Sequence, residues 1–293
     1  MVTFYRRMPK FDYLSPKTFD ETLSLLSQYK GKARITAGGT DLLPKMKRRE
    51  IKAPEYIIDL KGVPGLDYIK YDEAGGLRIG ALTTIHDIET SPVIHENFVV
   101  LSQAVYSMAS RQVRSRGTLT GNICNGVPSA DTAPALLTLE ARLKIVSLKG
   151  ERIVNIGDFF TGPCETVLTD EELLLEIQVP SLPPNSRGVY LKLTPRTSMD
   201  LAIVGVAAVL ISKDGVCEDV RIALGAVAPT PIRARRAEDV IRGQSFNDGV
   251  IERAAQVASE ESRPIDDHRA SAEYRREMVK VLVRRAINQT ISH

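Results

Sequence analysis

The chain has 293 residues, 43% of them apolar, which is enough for a sizeable core and, by length, roughly two domains. Lys and Arg number 39 against 36 Asp and Glu, and a net charge of +3 argues against a nucleic-acid binder, where a strong basic stripe is expected. No run nears the ~18 apolar residues of a membrane span, and the charged, aromatic N-terminus lacks the apolar stretch of a secretion signal, so a cytoplasmic protein is expected.

Thr18-Phe19-Asp20-Glu21 reads as a capping box, and Leu23, Leu25, Leu26 and Tyr29 supply the apolar face of the helix it starts. Arg34-Ile35-Thr36 predicts a short strand that runs directly into Gly38-Gly39, with a helix beginning near Pro44. Adjacent glycines permit a sharp turn and remove the Cβ atoms that would hold a ligand off. Successive amides in such a turn suit phosphate oxygens, and the Thr40 hydroxyl adds a donor; an ordinary strand-to-helix turn has the same composition. The spacing is neither G-x-G-x-x-G nor G-x-x-x-x-G-K-[ST], so the Rossmann and P-loop readings lack their glycines.

Residues 56–60 read as a second strand, completing a small βαβ-like unit. Residues 67–71 and 77–81 alternate around Asp72-Glu73-Ala74-Gly75-Gly76, a hairpin signal, and residues 98–109 read as a helix. Residues 116–131 are dense in small and hydrogen-bonding side chains, which predicts a surface loop; one this long inside a compact domain points to function or disorder. Thr118, Asn122, Asn125 and Asp131 can all face one polar ligand, with Gly117, Gly121 and Gly126 permitting close approach.

Composition changes after Pro180, where Pro183-Pro184-Asn185-Ser186 makes a linker-like break. Residues 203–212 and 216–226 read as apolar strands around the tight turn Lys213-Asp214-Gly215. Residues 235–242, 250–259 and 272–289 read as helices. In the last, Tyr274, Met278, Val281, Leu282 and Ile287 form the expected apolar stripe, with Arg275, Arg276, Lys280 and Arg284 on a solvated face. Cys124, Cys164 and Cys217 lack C-x-x-C spacing, so a zinc site or an iron–sulfur cluster held by this chain alone is not expected. Cys164 and Cys217 read as buried free thiols, and the four histidines as solvated or capping groups.

The pair Ala37-Gly38-Gly39-Thr40 and Thr118-Leu119-Thr120-Gly121-Asn122 resembles the two FAD-binding signatures of molybdenum hydroxylase flavoprotein subunits. These are the medium subunits of the xanthine dehydrogenase and carbon monoxide dehydrogenase family. The resemblance continues through Pro128-Ser129-Ala130-Asp131 and Thr169-Asp170-Glu171-Glu172-Leu173-Leu174, which opens a strand ending at Pro180. Tyr190-Leu191-Lys192, Arg196 and Asp200-Leu201-Ala202 extend it over essentially the whole chain, in order. The second signature is commonly Thr-x-Gly-Gly-Asn, and here Thr120 stands at the first of those glycines. One branch of the family carries a further cysteine-bound cluster in an insertion, which nothing here matches.

The resemblance implies an α+β fold. A two-part FAD-binding domain over residues 1–180, of vanillyl-alcohol-oxidase-like type, would have a small βαβ-like lobe and a larger mixed lobe. A smaller C-terminal sheet-and-helix domain would follow over residues 181–293. It also implies an oxidoreductase subunit acting as an electron relay. A large partner subunit oxidises substrate at a molybdenum cofactor (molybdopterin), and a small partner carries two 2Fe–2S clusters. Non-covalent FAD on this chain passes the electrons to NAD or another acceptor.

The implied site is all cofactor-binding, with no catalytic residue and no metal of its own. Arg34, Ile35, Thr36, Ala37, Gly38, Gly39, Thr40 and Asp41 wrap the pyrophosphate, and Thr118, Gly121, Asn122 and Asn125 hold its other side. Cys124 packs within that loop, Asp131 accepts from a cofactor hydroxyl, and Leu174 packs on an apolar cofactor face. Lys192 lies near the flavin, where a positive charge favours the anionic reduced form. A standalone FAD-dependent enzyme and an interaction subunit that has lost its cofactor are the other classes left open.

Overall fold

The computed structural model describes residues 7–196 and 199–292. Residues 1–6, the start of the segment weighed above as a leader, and His293 lie outside the described residues.

The first lobe holds β1 (Asp12–Leu14), α1 (Phe19–Gln28), β2 (Ala33–Thr36), α2 (Leu42–Arg48) and β3 (Tyr56–Asp59). Its three-stranded sheet runs β1-β3-β2, with β3 parallel to both neighbours, so β2-α2-β3 is the βαβ-like unit expected. The capping box is half formed. Thr18 accepts from the Glu21 amide, but the Glu21 carboxylate accepts from the Lys17 amide rather than that of Thr18.

The second lobe begins with the hairpin β4 (Ile69–Asp72) and β5 (Gly76–Gly80). Six short helices follow: α3 (Ile85–Thr90), α4 (Pro92–Asn97), α5 (Val99–Tyr106), α6 (Arg111–Arg114), α7 (Leu119–Asn125) and α8 (Thr132–Thr138). The hairpin β6 (Arg142–Ser147) and β7 (Gly150–Asn155) and a small ribbon of β8 (Phe160–Gly162) and β9 (Glu165–Thr166) lead to β10 (Leu173–Val179). β10 inserts between the two hairpins and closes an antiparallel sheet in the order β4-β5-β10-β6-β7.

The last part is a four-stranded antiparallel sheet of β11 (Ser186–Leu193), β12 (Val204–Lys213), β13 (Val216–Gly225) and β14 (Ile232–Arg233). Asp214 and Gly215 join β12 to β13 with φ of 50° and 79°, the two left-handed residues a two-residue hairpin turn requires. The helices α9 (Arg235–Ile241), α10 (Asp248–Glu261) and α11 (Ala272–Ser292) complete the chain. β12 is apolar almost throughout because both of its faces are covered. Ala207 and Val209 join the core of the second lobe, whereas Val206, Ala208 and Leu210 join the core beneath α9–α11. The C-terminal sheet is therefore welded to the second lobe. Leu173 and Val146 of the second lobe likewise enter the core of the first. The mixed α+β organisation implied by the resemblance is the one the chain has.

Several expectations need correction. Residues 116–131 are not simply a surface loop, since Thr118 caps α7 and Leu119 and Ile123, four apart, are fully buried. Gly126, with φ 62°, ends that helix in the left-handed position. The helix placed at residues 98–109 stops at Tyr106. The stripe on α11 is rotated: Tyr274 is exposed, while Val279, Leu282, Val283, Ala286 and Ile287 are buried together with Arg275. Cys164 is exposed, held in a turn with φ 63°; Cys217 is buried as expected. Among the described residues no helix is long and apolar enough to cross a membrane.

Candidate functional site

A cleft of about 1100 Å³ opens between the first lobe, the α7–α8 segment and the start of β10. Its first wall is the turn after β2. Gly39 takes φ 72°, a left-handed conformation that would strain any residue carrying a Cβ. Gly38 lacks a side chain for a different reason from the one the sequence suggests. A Cβ there would lie 2.0 Å from the Arg116 carbonyl oxygen and 2.8 Å from the Gly117 Cα. The turn and the segment leading to α7 thus touch backbone to backbone. The amides of Gly38, Gly39 and Thr40 donate to no acceptor among the described residues. Lys61 secures the entry to the turn, donating to the Ala37 carbonyl (3.2 Å) and to Asp59 (2.7 Å). Burial alone would push the Asp59 carboxyl up, but hydrogen bonds from Lys61 and Tyr13 outweigh it and hold it below its ordinary range.

The second wall is α7. The Thr118 hydroxyl accepts from the Gly121 amide at 3.1 Å, and a Cβ on Gly121 would lie 2.8 Å from that side-chain oxygen, which would have to shift. Asn122 accepts from the Thr132 hydroxyl (2.6 Å), and Asn125 accepts from Lys45 of α2. Thr120 is buried, and its hydroxyl donates to the Ala81 carbonyl at 2.7 Å, at the end of β5. Cys124 lies on the wall with its thiol pushed up to about 12 by burial, which makes it a packing group and not a nucleophile.

The third wall joins α8 to the C-terminal sheet. Asp131 is 7% exposed, and its two oxygens accept from the Tyr190 hydroxyl (2.7 Å) and the Lys192 ammonium (2.8 Å). Burial pushes the Asp131 carboxyl above its ordinary range, opposed by the Lys192 charge and both hydrogen bonds. Leu174 of β10 is buried and faces the same space.

All the residues expected to bind cofactor line this cleft except Lys192, whose ammonium is spent on Asp131 and the Ser107 carbonyl. Arg34 lines it too, but its guanidinium is mostly exposed and lies 3.9 Å from Asp170. The sequence reading missed other lining residues. Lys45 adds a cation beside Asn125, and Met199, Asp200 and Leu201 approach from the C-terminal part. Glu172 also lines the cleft, held below the ordinary carboxylate range chiefly by a paired hydrogen bond from Arg152. Thr169-Asp170-Glu171-Glu172 and Asp200-Leu201 are visible as motifs, yet only the fold brings them to one cleft. Among the described residues no cluster of His, Cys, Asp or Glu is arranged to hold a metal ion.

FAD fits this lining. The cleft exceeds the ~300–1,000 Å³ of ordinary small-molecule pockets. A glycine turn with free amides, a threonine-capped helix start and a lysine form a donor set suited to a pyrophosphate. Fold and cleft together define an FAD-binding flavoprotein subunit. Residues 9–182 match the family described as the FAD binding domain in molybdopterin dehydrogenase, and residues 189–290 match the CO dehydrogenase flavoprotein C-terminal domain. The chain belongs to the FAD-binding medium subunits of the molybdenum hydroxylases and is an oxidoreductase subunit.

Relatives match over nearly the whole chain. The carbon monoxide dehydrogenase medium chain of Hydrogenophaga pseudoflava is 34% identical over 280 residues, 96% of each chain. The glyceraldehyde dehydrogenase medium chain of Sulfolobus acidocaldarius is also 34% identical, over 281 residues covering 96% of this chain and 98% of that one. In a solved structure, carbon monoxide dehydrogenase from Hydrogenophaga pseudoflava lacking the Mo-pyranopterin moiety of its cofactor, a chain matches this one with a TM-score of 0.94. The identity is 35%, over 98% of this chain and 99% of that one.

Proposed function

We propose that this chain holds FAD non-covalently in the cleft and serves as the electron outlet of a three-subunit molybdenum hydroxylase. Its partners are a large subunit carrying the molybdenum cofactor and a small subunit carrying 2Fe–2S clusters; NAD or another acceptor takes the electrons. The observation that supports this best is the backbone contact between the two glycine-bearing segments, Gly38 against Arg116 and Gly117, which builds one continuous polar cradle. When bound, the flavin supplies both one- and two-electron chemistry, which suits an outlet between single-electron clusters and a two-electron acceptor.

The chain's own residues bind and orient. The amides of Gly38 to Thr40 and the Lys45 ammonium face the pyrophosphate from one wall, and Gly121, Asn122 and Asn125 meet it from the other. Asp131 accepts from a cofactor hydroxyl, and Leu174 excludes water from an apolar face. The functional division falls after Pro180, just ahead of the Pro183-Pro184 break, with the flavin domain over residues 1–180 and the C-terminal domain over 181–293. Substrate choice belongs to the large subunit. Medium chains of a carbon monoxide dehydrogenase and a glyceraldehyde dehydrogenase are each 34% identical to this chain, so likeness here does not follow what the complex oxidises.

The test uses the isolated full chain loaded with FAD. Dithionite or NADH should bleach the flavin, no aldehyde or heterocycle should, and adding the two partner subunits should restore bleaching by substrate. Acid precipitation should leave the flavin in the supernatant. A chain that oxidises an organic substrate alone, or carries flavin into the acid pellet, contradicts this reading.

A further inference from the structure

We infer that Tyr190 and Lys192 are positioning residues that act on the cofactor through Asp131, as a two-point clamp holding its carboxylate at the cleft wall. The inference rests on the functional reading above and deepens it. The resemblance puts Lys192 beside the flavin, but the geometry gives its charge another task. Its ammonium donates to Asp131 Oδ2 (2.8 Å) and to the Ser107 carbonyl (3.1 Å), and its side chain is 9% exposed. It borders a separate cavity of about 400 Å³, with Ser102, Gln103 and Ser107, instead of the large cleft.

Tyr190 occupies the other carboxylate oxygen at 2.7 Å, while its amide donates to the Gln103 side chain at 2.7 Å, so the strand itself is fixed from α5. The sheet is cut to admit this arrangement. Gly205 lies opposite Lys192 in the β11–β12 register, and a Cβ there would stand 2.8 Å from the Tyr190 hydroxyl oxygen. A buried carboxylate with one donor on each oxygen keeps lone pairs for further donors. Since Asp131 lines the cleft, those lone pairs suit hydroxyl groups of the cofactor's polyol or ribose chain.

The experiment strips flavin from the full chain and titrates FAD back, following flavin fluorescence. Wild type must bind; a stripped, folded chain that takes up no FAD overturns the functional reading itself, whereas the clamp is judged on variants that fold by circular dichroism. Tyr190→Phe and Lys192→Met should each raise the dissociation constant about tenfold, the scale of one hydrogen bond to a charged group. Lys192→Arg, which keeps charge and donors, should recover most of the loss. In an Asp131→Asn background, neither Tyr190→Phe nor Lys192→Met should weaken binding further by more than about twofold, as expected when one residue acts through another. The flavin midpoint potential gives a second readout: in that background Lys192→Met should leave it unmoved. Equal weakening with and without Asp131, a potential lowered in both backgrounds, or unchanged binding in Tyr190→Phe overturns the clamp. Should Lys192→Met fail to fold, Tyr190→Phe in the two backgrounds decides.

Discussion

The two far walls of the cleft are built on opposite principles. The first-lobe wall depends on missing side chains, with Gly38 admitting the Arg116 carbonyl and the Gly117 Cα. The C-terminal wall depends on long side chains reaching in, with Tyr190 and Lys192 meeting on Asp131 and Arg275 reaching from α11 to the ends of two strands. A wall made by absence fails when anything is added; a wall made by reach fails when anything is shortened. The contrast also separates what each wall offers a ligand: free amides on one side, a fixed carboxylate on the other.

The largest effect should come from adding to the first wall. Gly38→Val sets a branched side chain against the Arg116 backbone, which cannot yield as a flexible side chain would. Overpacking of this kind costs up to ~3 kcal/mol or more. Flavin should be lost from the purified variant, and because the clash is within the protein, the melting temperature should fall as well. A variant that melts like wild type and retains full flavin absorbance would mean the two segments do not meet as described.

Shortening the C-terminal wall comes next. Arg275 is buried, and its guanidinium donates to the carbonyls of Ile203 and Ala226, both at 2.9 Å, and to Asp267 at 2.7 Å. The Ala226 amide in turn donates to the Pro128 carbonyl, just before the cleft residues 129–131. Arg275→Met removes one partner of a buried ion pair and strips two carbonyls of their donor, a change of ~3–5 kcal/mol. A drop of roughly 10 °C in melting temperature is expected, and a drop under about 3 °C would show that α11 does not brace the sheet in this way.

The pH dependence of that brace has a definite sign. Burial alone would push the Asp267 carboxyl up, but hydrogen bonds from Arg269 and Arg275 and the Arg275 charge outweigh it, holding the group well below the ordinary carboxylate range. A depressed folded-state pKa gives stability that is complete above the unfolded value near ~3.9 and is lost as pH falls below it. Thermal melts between pH 6 and pH 3 should therefore fall more steeply at the acid end for wild type than for Asp267→Asn. Parallel curves would remove Asp267 from the account.

How far the sequence disclosed each wall follows the same contrast. Glycine turns carry a local signature, so the β2 turn and the α7 segment are legible before any fold is known. Even there, α7 hides among Gly121, Asn122 and Asn125, and the signs of a helix are the Thr118 cap, the Leu119–Ile123 spacing and Gly126 beyond its end. Reach has no local signature. Arg275 resembles any solvated arginine of an amphipathic helix, and only the carbonyls of Ile203 and Ala226, some 50 to 70 residues away, turn it inward. Lys192 and Asp131 each stand in a recognisable motif, but nothing in either says that the partner is 61 residues distant.

The smallest effect comes at Thr120, an addition that the α7 wall has absorbed. Where the family commonly has glycine, its hydroxyl donates to the Ala81 carbonyl at 2.7 Å and ties α7 to the end of β5. The side chain is thus built into the protein, and the neighbouring Gly121 alone supplies the close approach. Thr120→Gly should cost stability through the lost hydrogen bond, ~1 kcal/mol, and through glycine in a helix, ~1 kcal/mol. The expected drop in melting temperature is roughly 4 to 8 °C, with the dissociation constant for FAD within about threefold of wild type. Thr120→Ser, which keeps the hydroxyl, should melt between the two. If Thr120→Gly instead tightened FAD binding tenfold, the Cβ would be obstructing the cofactor, and the α7 wall would be the one place where an added side chain had not been absorbed.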